Sequence, residues 1–391
     1  ARKRYEEFEA FLDWLSDTIQ RAEADALLMA GDVFDTGTPS NRSQELYYKF
    51  LCRVAGSACR HIVVVAGNHD SPSFLDAPRE LLKVLRVHVV GSITDRVEDE
   101  VIVLDDAEGK PAMVVCAVPY LRDRDIRTVA AGESIEDKER NLVQGIREHY
   151  LAVGNAAVKT REQLDPSVPI VGMGHLFTAG GKAGDGVREL YVGSLAHVEA
   201  GIFPDCFDYL ALGHLHVPQV VGGQETLRYS GSPIPMGFGE AGQQKSVCLV
   251  DFTVGKPAVQ LVEIPTFQRL RSVRGNWEEI DTALRTLRSE GVPVWLEVIY
   301  TGESVIPDLR ERLDEALQGT DLECLRSSNN RIVERVLGAM EEGEALEDLD
   351  EHQVFERLLS KHEVPDEQRT ELRRTYQEVV LALKEADVAA Q

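Results

Sequence analysis

Between residues 5 and 19, Tyr5, Phe8, Phe11, Leu12, Leu15 and Ile19 recur every three or four positions on a polar background, which predicts an amphipathic helix. The compact apolar run 26–30 then predicts a buried strand, broken by Gly31-Asp32. A second helix is expected over 42–54 and a second strand over 61–66, which ends in Gly67-Asn68-His69-Asp70. Short strands follow near 87–90, 101–104 and 112–118, then a helix over 135–153 and strands at 169–173 and 208–212. From 226 to 265 the chain reads as further strands with turns at Gly231, Gly242 and Gly255. Strands alternating with helices, with polar residues at the strands' carboxyl ends, define an α/β class.

A boundary is expected near Pro265, dividing the chain into regions 1–267, 268–340 and 341–391. The middle region predicts a small α+β module: helices 277–289 and 307–317, a strand 292–300 and a strand-like 331–336. The last begins with an acidic stretch, 341–351, and continues in amphipathic helices 351–361 and 366–385. A length of 391 residues exceeds one ordinary core, in keeping with several units. No apolar run approaches the ~20 residues of a membrane span, and the opening residues lack a signal peptide's apolar centre. Six cysteines without a Cys-x-x-Cys pair are expected to be reduced thiols of a cytoplasmic protein.

With 42 basic and 66 acidic residues the net charge is −24, which excludes nucleic-acid binding through a general basic surface. Local strips remain: Arg122, Arg124 and Arg127, and Arg269, Arg271 and Arg274. These are either solvated surface or contacts that position DNA phosphates without reading sequence.

Four clusters share a pattern, an apolar strand followed by glycine and a ligand-type residue. They are Gly31-Asp32-Val-Phe-Asp35, Gly67-Asn68-His69-Asp70, Gly174-His175 and Gly213-His214-Leu-His216. Carboxylate oxygen, amide oxygen and imidazole nitrogen together suit hard and borderline divalent ions. Asp35 and Asp70 also read as caps of the helices that follow them.

The four motifs in this order resemble the calcineurin-like metallophosphoesterases, and the branch of double-strand-break repair nucleases in particular. The branch pattern is carried by Gly31–Gly37, Ala66–Ser71, Val118–Ile126, Val187–Gly193 and Tyr229–Pro235. The resemblance implies a β-sandwich flanked by helices, a small α+β capping domain that binds DNA, and a C-terminal helical pair. It implies two Mn²⁺ ions, with Mg²⁺ as a substitute. Asp32 would bridge them, Asn68, His175 and His214 would complete one site, and His216 would serve the other. His69 would stabilise charge on the scissile phosphate or protonate the leaving group. The implied activity is exonucleolytic on double strands and endonucleolytic on single strands and hairpins.

The partners implied are DNA and an SbcC-type ATPase docked on the C-terminal helices, in a heterotetramer built on a homodimer. Leu46, Tyr47, Phe50, Phe74 and Leu75 are candidates for the dimer patch, with ordinary core packing as the alternative. One departure stands out: the family's opening strand with Asp-x-His, which supplies two further ligands beside His216, does not precede Asp32. The expectation is that such a segment belongs upstream of residue 1. A catalytically incomplete scaffold, and a phosphoesterase acting on a non-DNA phosphodiester, remain as alternatives.

Overall fold

The computed structural model describes residues 3–126, 134–178, 200–253, 256–302, 306 and 308–329. Two compact units divide at Arg271/Ser272.

In the first unit, a parallel sheet runs β1 (Ala26–Ala30), β2 (His61–Val65), β3 (Val87–Val90) in that order. The second sheet has six strands: β4 (Val101–Asp105), β5 (Pro111–Ala117), β6 (Ile170–His175), β7 (Tyr209–Gly213), β8 (Gln219–Val221) and β9 (Gln224–Tyr229). Its spatial order is β4-β5-β6-β7-β9-β8, parallel from β5 through β9 and antiparallel at both edges. The two sheets share an apolar layer of Val63, Val65, Val90, Val115 and Met173. The outer face of the first sheet packs on α1 (Tyr5–Arg21), α2 (Asn41–Ala55), α3 (Pro72–Asp76) and α4 (Arg79–Lys83). The outer face of the second lies under α6 (Ile135–Gln163), through Ile146, Tyr150 and Val153, and α5 (Asp123–Ile126) precedes that helix. A two-stranded ribbon, β10 (Ser246–Asp251) with β11 (Ala258–Glu263), follows.

Local sequence explains these starts and stops. Ser40 and Ser71 accept backbone N–H bonds as N-caps of α2 and α3, and Pro72 opens α3 where no N–H is needed. Ser134 and Asp137 form a capping box that launches α6. The β-branched run Ile62–Val65 is wholly buried in β2, whereas all five residues of β1 are half-buried.

The second unit holds the sheet β12 (Arg269–Gly275), β13 (Val294–Tyr300), β14 (Leu322–Asn329) in that order, packed on α7 (Trp277–Glu290) and α8 (Leu309–Leu317). β12 begins just before the division between the units.

Several expectations change. The helix at 135 runs ten residues past its predicted end, to Gln163, because the apolar stripe is too sparse there to mark the continuation. Arg269, Arg271 and Arg274 lie on β12, all exposed, with Leu270 and Val273 as its inward positions. The small module also contains β14, a strand the sequence reading does not predict, while the strand-like 331–336 lies outside the described residues with 341–391 and Val187–Gly193. The candidate dimer residues belong to the core: Leu46, Tyr47, Phe50 and Leu75 are buried, and Phe74 stacks edge-on against Phe34. The exposed apolar surface of this region is instead Leu81, Val84 and Leu85.

Candidate metal centre

β1, β2, β6 and β7 end side by side, and each motif lies at the carboxyl end of its strand. That shared edge brings together residues far apart in sequence. His175 is the last residue of β6 and is buried, and its Nδ1 lies 2.9 Å from the carbonyl of Ala30 at the end of β1. A carbonyl only accepts, so Nδ1 carries the proton and the neutral ring's Nε2 is bare. That Nε2 lies 3.2 Å from Asp32 Oδ2 and 3.0 Å from Asn68 Oδ1. His214 Nδ1 is 3.0 Å from the same Asn68 oxygen. Ligand atoms of Asp32, His175 and His214 all fall within 4.8 Å of one another.

A cluster of carboxylate, amide-oxygen and imidazole lone pairs is self-repelling unless protons or a cation lie among them. The donor set fits a divalent ion of intermediate hardness.

Close approach is what the glycines permit. A Cβ on Gly213 would sit 1.6 Å from the Ala30 oxygen, and one on Gly31 would sit 2.2 Å from His175 Nδ1. Asp32 (φ 49°) and His214 (φ 103°) also hold backbone conformations that L-residues rarely adopt, strain of the kind found at functional sites.

Burial works against ionising Asp32, but when His175 is doubly protonated its hydrogen bond and charge, together with the His69 amide, outweigh burial and hold the carboxyl at about 2. His214 is pushed down to about 4, first by burial and then by the neighbouring His175, against the pull of Asp32. An ionised carboxylate beside neutral imidazoles is the protonation state in which these side chains ligate metals.

His69 lies beside this group. Its backbone N–H donates to Asp32 Oδ1 at 3.0 Å, and its ring Nδ1 donates to the Asp35 carbonyl, also at 3.0 Å. Asp35 therefore orients His69 and caps no helix among the described residues. Asp70 is no cap either: its buried carboxylate accepts from the backbone N–H groups of Gly67 (2.8 Å), Phe34 (2.9 Å) and Val33 (3.1 Å), tying the loop after β1 to the loop after β2.

His216 stands outside the ligand cluster, with its ring Nδ1 2.9 Å from Glu240 Oε1. Burial opposes the Glu240 charge, yet His216, Lys245 and the Met236 amide hold its carboxyl at about 2. Sequence reading missed Glu240 and Lys245, since a loop without periodicity gives no signal that two charged residues will be buried together. Tyr120, edge-on to the His175 ring at 6.2 Å, was missed for the same reason. Arg122 is half-buried, Arg124 is exposed beside Asp125, and Arg127 is outside the described residues.

Residues 4–218 match the calcineurin-like phosphoesterase family, and residues 266–363 match a domain described as the type 5 capsule protein repressor C-terminal domain. The fold is thus that of a calcineurin-like phosphoesterase. Over 382 residues the chain is 37% identical to the SbcD subunit of nuclease SbcCD from Escherichia coli K12, covering 96% of this chain and 93% of that protein. The SbcD subunits of Rhodobacter capsulatus and Bacillus subtilis are 34% and 33% identical, over 64% and 66% of this chain and 62% and 63% of theirs. The chain belongs to the SbcD family of calcineurin-like phosphoesterases.

Proposed function

We propose that this protein is the nuclease subunit of an SbcCD-type complex, a metal-dependent phosphodiester hydrolase that cuts DNA in repair and recombination. The observation that carries the reading is the convergence of Asp32, Asn68, His175 and His214 at four strand ends.

These four residues would hold one Mn²⁺, and Asp32 with His216 would contribute to a second. Ions bound there lower the pKa of water and offset the charge of the phosphodiester. The chain's own contributions are positional. Ala30 fixes the His175 tautomer, Asp70 holds the two ligand loops together, and the His69 amide orients Asp32. Hydrogen-bonded to Asp35 through Nδ1, the His69 ring keeps Nε2 for the phosphodiester: doubly protonated, it would donate from Nε2 to the scissile phosphate or to the leaving oxygen. Arg122 and Arg124, beside this edge in sequence after β5, are assigned to DNA phosphates, with Arg127 completing the strip.

The protein would pair two-fold through Leu81, Val84 and Leu85, which leave an apolar patch on α4 and the turn after it, and would bind its ATPase partner through 351–391. The assembled complex would act in the cytoplasm. Cleavage of single-stranded circular DNA by the full-length protein tests the reading. Mn²⁺-dependent cutting, lost on His214→Ala, is expected. Hydrolysis of a small phosphodiester without DNA cutting would move the substrate elsewhere, and neither activity would leave a scaffold.

A further inference from the structure

Glu240 is fully buried beside His216, and the histidine ring meets only one of its carboxylate oxygens. Oε1 lies 2.9 Å from His216 Nδ1. Oε2 takes two committed donors, Lys245 Nζ at 2.6 Å and the Met236 N–H at 3.1 Å, while the Ser232 hydroxyl, 3.3 Å away, lies closer to the Ile234 carbonyl at 2.9 Å. An ammonium and a backbone amide cannot accept, so the atom in the Oε2 position must be an acceptor. Lys245, itself only 3% exposed, also donates to the His216 carbonyl at 2.9 Å, and the Ser232 N–H meets the same carbonyl at 3.0 Å. The loop thus grips both the ring and the backbone of one histidine.

A buried ion pair is weak evidence for stability, because desolvation offsets most of the attraction. What this pair does supply is a fixed proton position. We propose that Glu240, clamped by Lys245, is the positioning residue that keeps the proton of neutral His216 on Nδ1 and leaves Nε2 as its free lone pair for a divalent ion. The inference rests on the reading of His216 as a ligand of the second metal. It adds the carboxylate that makes the ring competent, in the way carboxylates orient metal-binding histidines generally.

Glu240→Gln makes the idea sharp. The amide must turn its oxygen to Lys245 and Met236, which places its NH₂ group against His216 Nδ1. The ring proton is then forced to Nε2, and the lone pair faces the wrong way. The measurement is a long-range ¹H–¹⁵N spectrum of the histidine-labelled, metal-free full chain at neutral pH, with the His216 signal identified by its loss in His216→Gln.

The wild type is expected to show His216 protonated on Nδ1, and E240Q to show it protonated on Nε2. Mn²⁺ titration of E240Q should show affinity at the His216 site lowered roughly 10–100-fold, with binding at the His175 site retained. A wild-type ring protonated on Nε2 would overturn the proposal even if E240Q did not fold, and so would a folded E240Q with an unchanged tautomer. Inversion of the tautomer with unaltered Mn²⁺ binding would uphold the positioning and reject His216 as a ligand.

Discussion

Asp70 offers the sharpest test of how the metal-ligand loops are held. Its carboxylate is buried, and its oxygens divide three backbone donors: Oδ2 serves Gly67 and Val33, and Oδ1 serves Phe34. Asp70→Ala leaves the N–H groups of Gly67 and Phe34 buried without partners, and at about 1–3 kcal/mol for each orphaned donor the loss is roughly 2–6 kcal/mol. Asp70→Asn behaves differently. With its oxygen in the Oδ2 position it keeps Gly67 and Val33, and its NH₂ group opposes only Phe34. That single lost bond costs about 1–3 kcal/mol, part of which is recovered because burial and the nearby Asp32 already disfavour a charge there. In a unit of this size each kcal/mol shifts Tm by roughly 2–4 °C. Thermal unfolding followed with amide hydrogen exchange separates the cases. Asn should speed exchange at Phe34 while Gly67 stays protected, and Ala should expose both. Equal Tm values for the two variants, or an Ala variant within about 0.5 kcal/mol of wild type, would refute the loop-clamp reading.

Other outcomes follow from the same geometry. Tyr229→Phe removes a buried hydroxyl that donates to the Leu176 carbonyl at 2.6 Å and accepts from the Thr178 amide at 3.1 Å, and should cost about 1–3 kcal/mol in denaturant unfolding. Gly213→Ala drives a methyl into the Ala30 carbonyl beside His175, so Mn²⁺ affinity by titration should fall with stability, whereas Gly109→Ala, in open space, should leave affinity unchanged. Glu240's carboxyl lies below its ordinary 4.5, so the stability it adds is present above that pH and lost as pH falls toward 2; acid unfolding of E240Q should lack this component. Leu81→Lys with Val84→Lys should shift the protein toward monomer in light scattering without lowering Tm, since both side chains are more than 70% exposed.

How far the sequence carried depended on the physics behind each signal. Strands β2, β6 and β7 were plain because buried parallel strands are short continuous apolar runs, and each ended in glycine plus a ligand-type side chain. Convergence of Asp32, Asn68, His175 and His214 followed from that placement, since parallel neighbours end at one edge. The β14 strand was missed because Leu322-Glu-Cys-Leu alternates over too few residues to stand out beside a helix. Leu46, Tyr47 and Phe50 looked like an interface because amphipathic helices show the same stripe whether a sheet or a partner covers it. Asp70 and Glu240 were invisible in their roles, because a carboxylate's partners here are backbone amides and a lysine brought in by folding.

Mn²⁺ binding tests the central claim most directly, monitored by loss of the free-ion electron paramagnetic resonance signal as metal is added to the full-length protein. Wild type should bind Mn²⁺ tightly, and His175→Ala, whose Nε2 lies between Asp32 and Asn68, should lose that site while keeping its fold by circular dichroism. Undiminished Mn²⁺ binding by a folded His175→Ala variant would contradict the assignment of these four strand ends as a metal centre.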